Sequence, residues 1–497
     1  MKDAGLRARG WIVAAALAAS GCMVGPDYVR PPTPTAHAWL ASGDAAVHTD
    51  AEALARWWEV FGDPVLTGLV ERAAAQNLSL RAAGLRVLEA QARRGIAVGN
   101  LFPQEQQLSG AYTRTHNSAN TPLGTVGGRD FDNFQAGFDA AWELDLWGKF
   151  RRAIEAADAE LTGAVASYDD VLVSLVAEVA ATYVRIRAVD ERLTVARDNV
   201  RVQRDGLEIA RARFEAGGTS ELDLQQATTL LRDTEATIPQ LEIERRRAAH
   251  SLAVLTGLPP GEPAALLGDE GHMPEVPVDV AVGIPADLLR RRPDVRRAEQ
   301  AAAAQCARIG VSVANLLPAF QVSGTVGLNA DSAAHFFEGR SFEAFGGPSF
   351  TWPVLNYGRL TNDVRLQDAT FQELAVGYQQ TILTAQQEVE DALIGFVRGT
   401  ERVARLAESV AAANRAVELS GIQYREGGTD YTAVLNTQQA KLREDDLLVS
   451  SRATVALEVI ALYKAVGGGW ELRENRPFVP EETRAEMRAR GHWRWPW

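Results

Sequence analysis

The stretch Phe214-Glu-Ala-Gly-Gly-Thr219 occurs a second time, in related form, as Tyr424-Arg-Glu-Gly-Gly-Thr429. The two stretches are separated by 210 residues, and the same separation relates five more pairs: Tyr168 and Tyr378, Glu178 and Glu388, Trp142 and Trp352, Gly148 and Gly358, Gly257 and Gly467. Upstream, Asn100-Leu-Phe-Pro103 matches Asn315-Leu-Leu-Pro318 at a separation of 215. A separation kept over so many positions indicates an internal duplication, so the chain is two copies of one unit.

Each copy contains one very long predicted helix that ends at its glycine pair. Apolar residues recur every seven positions along it: Leu172, Val179, Ile186, Leu193, Val200, Leu207 and Phe214 in the first copy, and Ile382, Val389, Phe396, Val403, Val410, Val417 and Tyr424 in the second. A strict period of seven favours a left-handed supercoil of packed helices. The interval from Gly148 to Glu215 would give on the order of 100 Å of helix, which predicts a coiled-coil bundle or tube.

The glycine pairs Gly217-Gly218 and Gly427-Gly428 predict turns, because glycine adopts the left-handed conformation that ends a helix. Returning helices are predicted from Ser220 to Leu255 and from Asp430 to Ala465. Pro239 lies inside the first of these and predicts a kink.

A different pattern of apolar and polar residues precedes each long helix. Apolar and polar residues alternate from Phe134 to Leu144 and again from Phe320 to Leu328. A period of two over about ten residues is typical of a tilted membrane strand with one apolar face. A soluble hairpin that packs this face on helices fits the period equally well. The export signal described below, and the lack of helices to cover a sheet, favour the membrane.

Counting the strands predicts the assembly. Hairpins at about 104–147 and 319–357 give four strands per chain, whose edges a bilayer does not tolerate because no water satisfies the backbone. Single-chain barrels have at least about eight strands. Closure therefore needs several chains, and three chains would give twelve strands. We expect a mainly α-helical fold with long coiled-coil helices and four β-strands per chain, which contribute to a barrel shared between chains.

The N-terminus has the pattern of an export signal: a positive start, a short apolar core at 11–19, and small residues before Cys22. The stretch Leu17-Ala-Ala-Ser-Gly-Cys22 resembles a bacterial lipoprotein cleavage box, although Ala19 stands where leucine is usual. Cys22 would then carry a covalent lipid, such as palmitate, and we expect no other cofactor. Met23 follows, and not the aspartate associated with inner-membrane retention, so we expect the outer membrane.

The composition excludes several classes of function. A net charge of −13 argues against a nucleic-acid partner. The two cysteines, Cys22 and Cys306, lie far apart in sequence and do not suggest a disulfide framework. The seven histidines show no metal-ligand spacing, and no HExxH, GxSxG or phosphate-loop motif occurs, so we do not expect an enzyme.

The expected organisation has six segments. They are a signal peptide at 1–21, a lipidated N-terminal segment at 22–65, a first repeat at 66–257, a linker at 258–284, a second repeat at 285–466 and a C-terminal tail at 467–497. Each repeat is expected to contain a helix, a β-hairpin, a long helix, a turn and a returning helix.

Three further blocks carry a resemblance to a known family. They are Cys22-Met-Val-Gly-Pro-Asp-Tyr28 with Arg30-Pro31, the block from Trp57 to Leu66, and the block from Ile284 to Arg296. With the duplication, they resemble the TolC-type outer-membrane efflux family, in the lipoprotein branch that serves resistance-nodulation-division (RND) pumps (NodT/OprM-like). The resemblance implies a homotrimer in outer-membrane lipid, whose chains share a twelve-stranded trimeric β-barrel with a long α-helical coiled-coil barrel below it. It also implies a periplasmic adaptor (membrane fusion protein) and an inner-membrane RND-type transporter beneath. It implies a passive exit duct for small molecules, with a periplasmic gate that adaptor and pump open.

The same resemblance places the gate at the two glycine turns. Family members often have aspartates just after the second turn, where they narrow the pore and make it cation-selective. The aligned residues here are Ala433 and Asn436, so the sequence leaves open whether this gate is charge-selective. Other candidates at the tip are Gly217, Gly218, Asp223, Tyr424, Arg425, Gly427, Gly428 and Asp430. Asp430 is either a helix cap or a gate-lining residue, and Tyr424 either holds the gate shut or continues the heptad seam. Arg425 and Arg213 form constricting salt bridges or lie on an exposed face.

Two alternatives stay open: an outer-membrane duct for protein secretion, and a lipid-anchored periplasmic coiled-coil adaptor. The sequence does not identify the transported substrates or the partner pump. It gives no role to Trp493-Arg-Trp-Pro-Trp497.

Overall fold

The computed structural model describes residues 23–33, 35–36, 38–40, 44, 47–48, 54–120, 129–261, 267, 271–277, 280–281, 290–474 and 476–491. The predicted signal peptide, the lipidation site Cys22 and the tryptophan-rich terminus lie outside these residues. The chain divides into two compact units. The first consists of the described parts of 1–32, 87–164 and 297–378, and the second of those of 33–86, 165–296 and 379–497.

The described helices and strands follow one another in an order that repeats. The helices are α1 Pro64–Gln76, α2 Leu78–Gly99, α3 Lys149–Glu215, α4 Glu221–Leu255, α5 Pro293–Ala314, α6 Arg359–Arg425, α7 Tyr431–Ala465 and α8 Glu481–Ala489. The strands are β1 Val47–His48, β2 Glu105–His116, β3 Asp130–Leu144, β4 Val280–Ala281, β5 Ala319–Ala330 and β6 Phe342–Thr351. Short 3-10 helices occur at Trp57–Phe61, Gly339–Ser341 and Trp470–Arg473.

The helices of the two copies correspond residue by residue. The long helices α3 and α6 each have 67 residues, and the returning helices α4 and α7 each have 35. Both bounds of each pair differ by 210, while the bounds of α2 and α5 differ by 215. The predicted duplication, long helices and returning helices are therefore confirmed. Among the described residues, no helix is both long and apolar enough to cross a membrane.

The first unit contains an antiparallel sheet with the strand order β2-β3-β5-β6. The two predicted hairpins are thus confirmed, and they join edge to edge at β3 and β5. Residues opposite one another share a face of the sheet. One such row is Leu108, Phe138, Val326 and Ala344, and the first three of these side chains are exposed. The alternating residues form a polar face, on which the Thr325 hydroxyl donates to Asp139 at 2.5 Å.

Residues 23–28, which we call the N-terminal strap, are also part of the first unit. The buried guanidinium of Arg152 donates to the main-chain carbonyls of Val24 and Gly25, at 3.2 and 3.3 Å. Gly25 has a φ of 88° and approaches Gly310 so closely that a Cβ would lie 2.4 Å from its Cα. The strap is therefore packed against the helices, and its two contacting glycines admit no larger side chain.

The second unit has a core that the expected boundaries did not anticipate. The 3-10 helix at Trp57–Phe61 belongs to the segment expected to be an N-terminal extension, yet Trp57 is buried and stacks on Tyr463 at 5.4 Å. Burial of a large apolar side chain contributes roughly 1.5–3 kcal/mol. Likewise, β1 pairs in parallel with β4 of the expected linker, and the expected tail contains α8.

The first repeat begins with two helices where one was expected. Asn77 adopts an extended conformation and separates α1 from α2. Its side-chain oxygen accepts from the Leu80 amide at 2.9 Å, and its amide nitrogen donates to the Leu255 carbonyl, also at 2.9 Å. Asn77 thus caps the second helix, because its short polar side chain competes with the helical backbone.

Candidate functional site

The two glycine turns have the same backbone geometry. Gly217 and Gly427 have φ angles of 71° and 79°, in the left-handed region. The Gly218 amide donates to the Arg213 carbonyl at 2.8 Å, and the Gly428 amide donates to the carbonyl five residues before it, also at 2.8 Å. This pattern is the Schellman motif, which satisfies carbonyls at a helix C-terminus. Both long helices therefore end in a turn of defined geometry.

The returning helices begin with side-chain caps. The Ser220 hydroxyl accepts from the Asp223 amide at 3.4 Å, and the Thr219 hydroxyl donates to the Asp223 carboxylate. In the second copy, the Asp430 carboxylate accepts from the Ala433 amide at 3.2 Å. Asp430 therefore acts as a helix N-cap, one of its two expected roles. The contacts of Asp223 with Thr219 and Ser220 hold it next to the turn of the first copy.

Two buried tyrosines pack together where α6 ends and α7 begins. The rings of Tyr424 and Tyr431 are 5.4 Å apart and meet edge to face at 72°. The Arg213 guanidinium lies 4.6 Å from the Tyr424 ring centroid, and it donates to the Tyr424 carbonyl and, at 3.2 Å, to that of Gly218. Arg213 thus links the turn of the first copy to the turn of the second. We call Arg213, Tyr424 and Tyr431 the tip cluster.

The tip cluster rests on an apolar base contributed by α3, α4 and α7. Its buried members are Val200, Leu207, Ala210, Ala227, Leu231 and Val434. Burial raises the pKa of Tyr431 to about 12, with a smaller contribution from nearby Tyr424 and Asp223. Neither tyrosine hydroxyl has a protein partner among the described residues. Tyr431 is therefore neutral at physiological pH and contributes by packing.

A polar strip runs between α3 and α7 next to the tip cluster. Asn199 donates to Asp445 at 3.4 Å, and Lys441 forms an ion pair with the same carboxylate. Gln203 and Gln438 are buried beside them, and the Oε1 atoms of both have no hydrogen-bond partner among the described residues. Buried polar groups without partners cost free energy, roughly 1–3 kcal/mol each. This interface is therefore held less firmly than an apolar seam.

The sequence analysis did not identify this strip, although a signal exists. Tyr431, Gln438 and Asp445 are spaced seven residues apart on α7, so two polar residues occupy seam positions. A polar residue at such a position fixes the register of packed helices at a cost in stability.

The remaining candidates at the tip lie at or near the surface of the single chain. Asn436 and Arg425 lie on the surface of the single chain, and Ala433 is half-buried. Arg425 donates to the Gly421 carbonyl at 3.3 Å. The described hydrogen bonds of Arg213 and Arg425 thus go to main-chain carbonyls, whereas salt bridges were one expectation.

The heptad seams of the two copies are covered to different degrees. Leu193, Val200 and Leu207 of α3 are buried, with exposures of 1%, 8% and 9%. The corresponding residues 403, 410 and 417 of α6 are half-buried. Apolar side chains at seam positions of α6 are thus only partly covered by their own chain.

Paired long helices with capped turns, joined to a sheet with one apolar face, define the chain as a subunit of an outer-membrane channel. The chain belongs to the outer membrane efflux protein family, whose model matches residues 69–258 and 284–468. These two segments coincide closely with the two copies. The predicted family, fold class and role as an outer-membrane component of efflux are confirmed.

Several relatives resemble the chain over most of its length. Nodulation protein T of Rhizobium leguminosarum bv. trifolii is 31% identical over 459 residues, which cover 91% of this chain and 95% of the relative. The pyoverdine export outer membrane protein OpmQ of Pseudomonas putida is 32% identical over 424 residues, which cover 84% and 88%. These relatives are named for nodulation and export.

Solved structures share the fold. The outer-membrane channel OprN has a TM-score of 0.83 and 31% identity, and the match covers 90% of this chain and all of OprN. The CmeC outer membrane channel of Campylobacter jejuni has a TM-score of 0.87 at 21% identity, with 93% of this chain covered, and shows the fold alone. Among the described residues, no group of three or more histidine, cysteine or acidic side chains is placed to hold a metal.

Proposed function

We propose that the chain assembles as a homotrimer into a passive exit duct, through which a tripartite pump expels small organic molecules across the outer membrane. The observation that carries this proposal is the sheet of the first unit. Its apolar face is exposed, with Leu108 at 84% and Val326 at 53%, and no other strand within the described part of the chain pairs with the outer edges of β2 and β6. Lipid covers such a face, and closure removes the edges, because unpaired backbone groups are costly in a bilayer.

The seam of α6 supports the same assembly. Its half-buried residues 403, 410 and 417 continue a seven-residue period that favours packing against another helix. In the proposed trimer, the helix pairs of neighbouring chains lie side by side and cover these residues. Three chains then supply twelve strands and twelve long or returning helices.

The tip cluster is the proposed closed gate. Arg213 joins the first turn to the second. The polar strip weakens the packing of α3 against α7, because some of its buried polar atoms have no hydrogen-bond partner. Docking of a periplasmic adaptor and an inner-membrane RND-type transporter would separate these helices. Exposed Asn436 would line the constriction with an amide in place of a charge, so the closed pore would not select cations strongly.

The lipid on Cys22 is part of the proposal and lies outside the described residues. The strap supports it: Met23 packs so closely on Gly148, where β3 gives way to α3, that a Cβ on that glycine would lie 2.6 Å from the Met23 Cγ. An acyl chain on the preceding residue would therefore start near one end of the sheet. Each buried methylene contributes about 0.8 kcal/mol to anchoring.

The names of two relatives support small organic molecules as the proposed substrate class. One relative is named for pyoverdine export and another, the outer membrane protein TtgF of a second Pseudomonas putida strain, for toluene efflux. Two different compounds carried by relatives of one family suit a duct whose selectivity comes from its pump.

The test uses the full-length lipoprotein, purified in detergent and reconstituted in planar bilayers. We expect a heat-modifiable trimer that conducts ions, and a deletion strain that is sensitised to small toxic compounds and rescued by the wild-type gene. A monomer without conductance would contradict the duct and favour the adaptor alternative. A conducting trimer whose deletion changes only protein secretion would favour the secretion alternative.

A further inference from the structure

The polar face of the four-stranded sheet carries charges of one sign. Residues opposite one another share a face, so the register assigns every second residue of β2, β3, β5 and β6 to the face of Asp139 and Thr325. The charged residues on this face of the four strands are Glu105, Asp139, Glu143 and Glu343. All four are acidic, and these strands place no lysine, arginine or histidine on the polar face.

The other face of the same strands has a different distribution of charge. Its charged or titratable residues are Arg114, His116, Asp130 and Asp132, all at the loop end of β2 and β3. They include both signs and contact one another: Arg114 lies 3.9 Å from Asp132, and the His116 ring lies 2.8 Å from the Asp130 carboxylate. An excess of one sign is therefore a property of the polar face alone.

The four acidic residues of the polar face stand at four successive levels. From the helix end of the strands outward, the levels hold Glu143, Glu105, Asp139 and Glu343 in turn, and we call them the carboxylate series. Neighbouring levels are two residues apart along a strand, which is about 7 Å. This spacing is shorter than the Debye length of about 10 Å at 0.1 M salt. A cation that moves along the face would therefore stay within the field of a carboxylate throughout.

Neutral donors hold the two outer carboxylates of the series in place. Asp139 accepts hydrogen bonds from the hydroxyls of Thr325 and Ser109, at 2.5 and 3.1 Å. Glu343 accepts from the Asn329 side-chain amide at 3.3 Å. These contacts orient the carboxylates and do not cancel their charge.

Glu143 differs from the other three members of the series. It forms an ion pair at 2.9 Å with Lys149, the first residue of α3. Within the described part of the chain, Glu105, Asp139 and Glu343 lie in no such ion pair. Each chain thus presents three negative charges that no cation of its own offsets.

We propose that the carboxylate series makes the open duct prefer cations to anions, with Asp139 and Glu343 as the specificity-determining residues. This rests on the proposed trimer, in which the polar face lines the lumen and three chains supply three carboxylates at each level. Charge selection then belongs to the sheet, whereas Ala433 and Asn436 at the tip are uncharged. The pump still chooses the molecule, and small molecules with a positive charge leave through the lumen most readily.

The expected size of the preference follows from Coulomb's law. In water, one carboxylate at about 7 Å changes the local concentration of a monovalent ion by a factor of about 2–3. Salt screens this effect, while three carboxylates at one level offset part of the screening. Removing two levels should therefore lower the cation-to-anion permeability ratio at least about fivefold at 0.1 M salt. The difference should largely disappear at 1 M salt, where the Debye length is about 3 Å.

The test measures the reversal potential of the full-length lipoprotein in planar bilayers under a gradient of KCl. The variants are Asp139→Asn, Glu343→Gln and their combination, which remove charge and keep hydrogen-bonding groups. Asp132→Asn is the matched control, because it removes the same charge from the other face of β3. The two single variants lie on different strands, and trimer content in detergent is compared for all proteins.

We expect the wild type and Asp132→Asn to prefer cations equally, and the double variant to lose at least about fivefold in permeability ratio. Each single variant should lose about two- to threefold. A preference that the double variant retains, or that Asp132→Asn loses to the same extent, would overturn the proposal and leave the duct standing. A conducting wild-type trimer without cation preference would do the same. A protein that stays monomeric and does not conduct would overturn both.

Discussion

Replacing Arg213 with alanine should open the resting channel. The guanidinium donates to the carbonyls of Tyr424 and Gly218 and lies 4.6 Å from the centroid of the Tyr424 ring. A hydrogen bond from a charged donor contributes about 1.5–3 kcal/mol, and a partly exposed cation–π contact about 0.5–1 kcal/mol. These terms are not additive, and the Gly218 bond stays within one turn. We therefore assign about 2–3 kcal/mol to the contacts that join the two turns.

A loss of about 2–3 kcal/mol raises the population of the open state by a factor of about 30–150, since 1.4 kcal/mol corresponds to a factor of ten. The assay is single-channel recording in planar bilayers, supported by uptake of a large antibiotic in cells that express the variant. We expect a higher open probability for Arg213→Ala and an intermediate value for Arg213→Lys, which keeps the charge but not the planar donor pair.

Arg211→Ala is the matched control, because Arg211 is an exposed arginine on the same helix. Trimer content in detergent should be equal in all variants, so that leakage reports the gate and not the assembly. If Arg213→Ala were no leakier than Arg211→Ala at equal trimer content, the tip cluster would not be the gate.

Four further predictions address the other parts of the molecule. Asn436→Asp should shift the reversal potential toward cation selectivity, and an unchanged potential would place that residue off the pore. Cys22→Ser should remove the lipid, seen by mass spectrometry, and leave trimer formation largely intact; loss of all folded trimer would contradict this. Arg152→Ala should lower the local stability of the strap by about 1–3 kcal/mol and make the strap more sensitive to proteolysis. An unchanged rate of proteolysis would show that the contact of Gly25 with Gly310 is enough to hold the strap in place. Tyr431→Phe should change the free energy of unfolding little at pH 7 and should reduce the loss of stability at alkaline pH. The pKa of Tyr431 is about 12 in the folded state and 10.0 ordinarily. The stabilisation by this tyrosine is therefore complete below pH 10 and is lost as the pH rises toward 12. The measurement is thermal unfolding as a function of pH, and an equal loss of stability in the wild type and in Tyr431→Phe would refute the prediction.

The elements that repeat or end at glycine were predictable from the sequence. Gly148 and Gly217 bracket α3, and the same residues 210 positions later bracket α6, so the helix bounds follow from local backbone chemistry and a seven-residue period. The alternation of Phe134 to Leu144 predicted β3 in the same way.

Contacts between distant residues were not predictable, because no local pattern encodes them. Arg213 reaches Tyr424 across 211 residues, and the alignment of the copies alone does not reveal that contact. The break at Asn77 and the pairing of β1 with β4 depend in the same way on partners far along the chain, such as Leu255. The polar strip was missed because Gln203 and Gln438 stand among helix-forming residues where a polar side chain is usually solvated.

Everything proposed for the channel depends on a sheet that one chain does not complete. The direct measurement is the mass, by native mass spectrometry in detergent, of the full-length protein with its acyl group removed. The account predicts three times the mass of the mature chain, together with aggregation when the detergent is withdrawn. A single chain that stays soluble without detergent would contradict it.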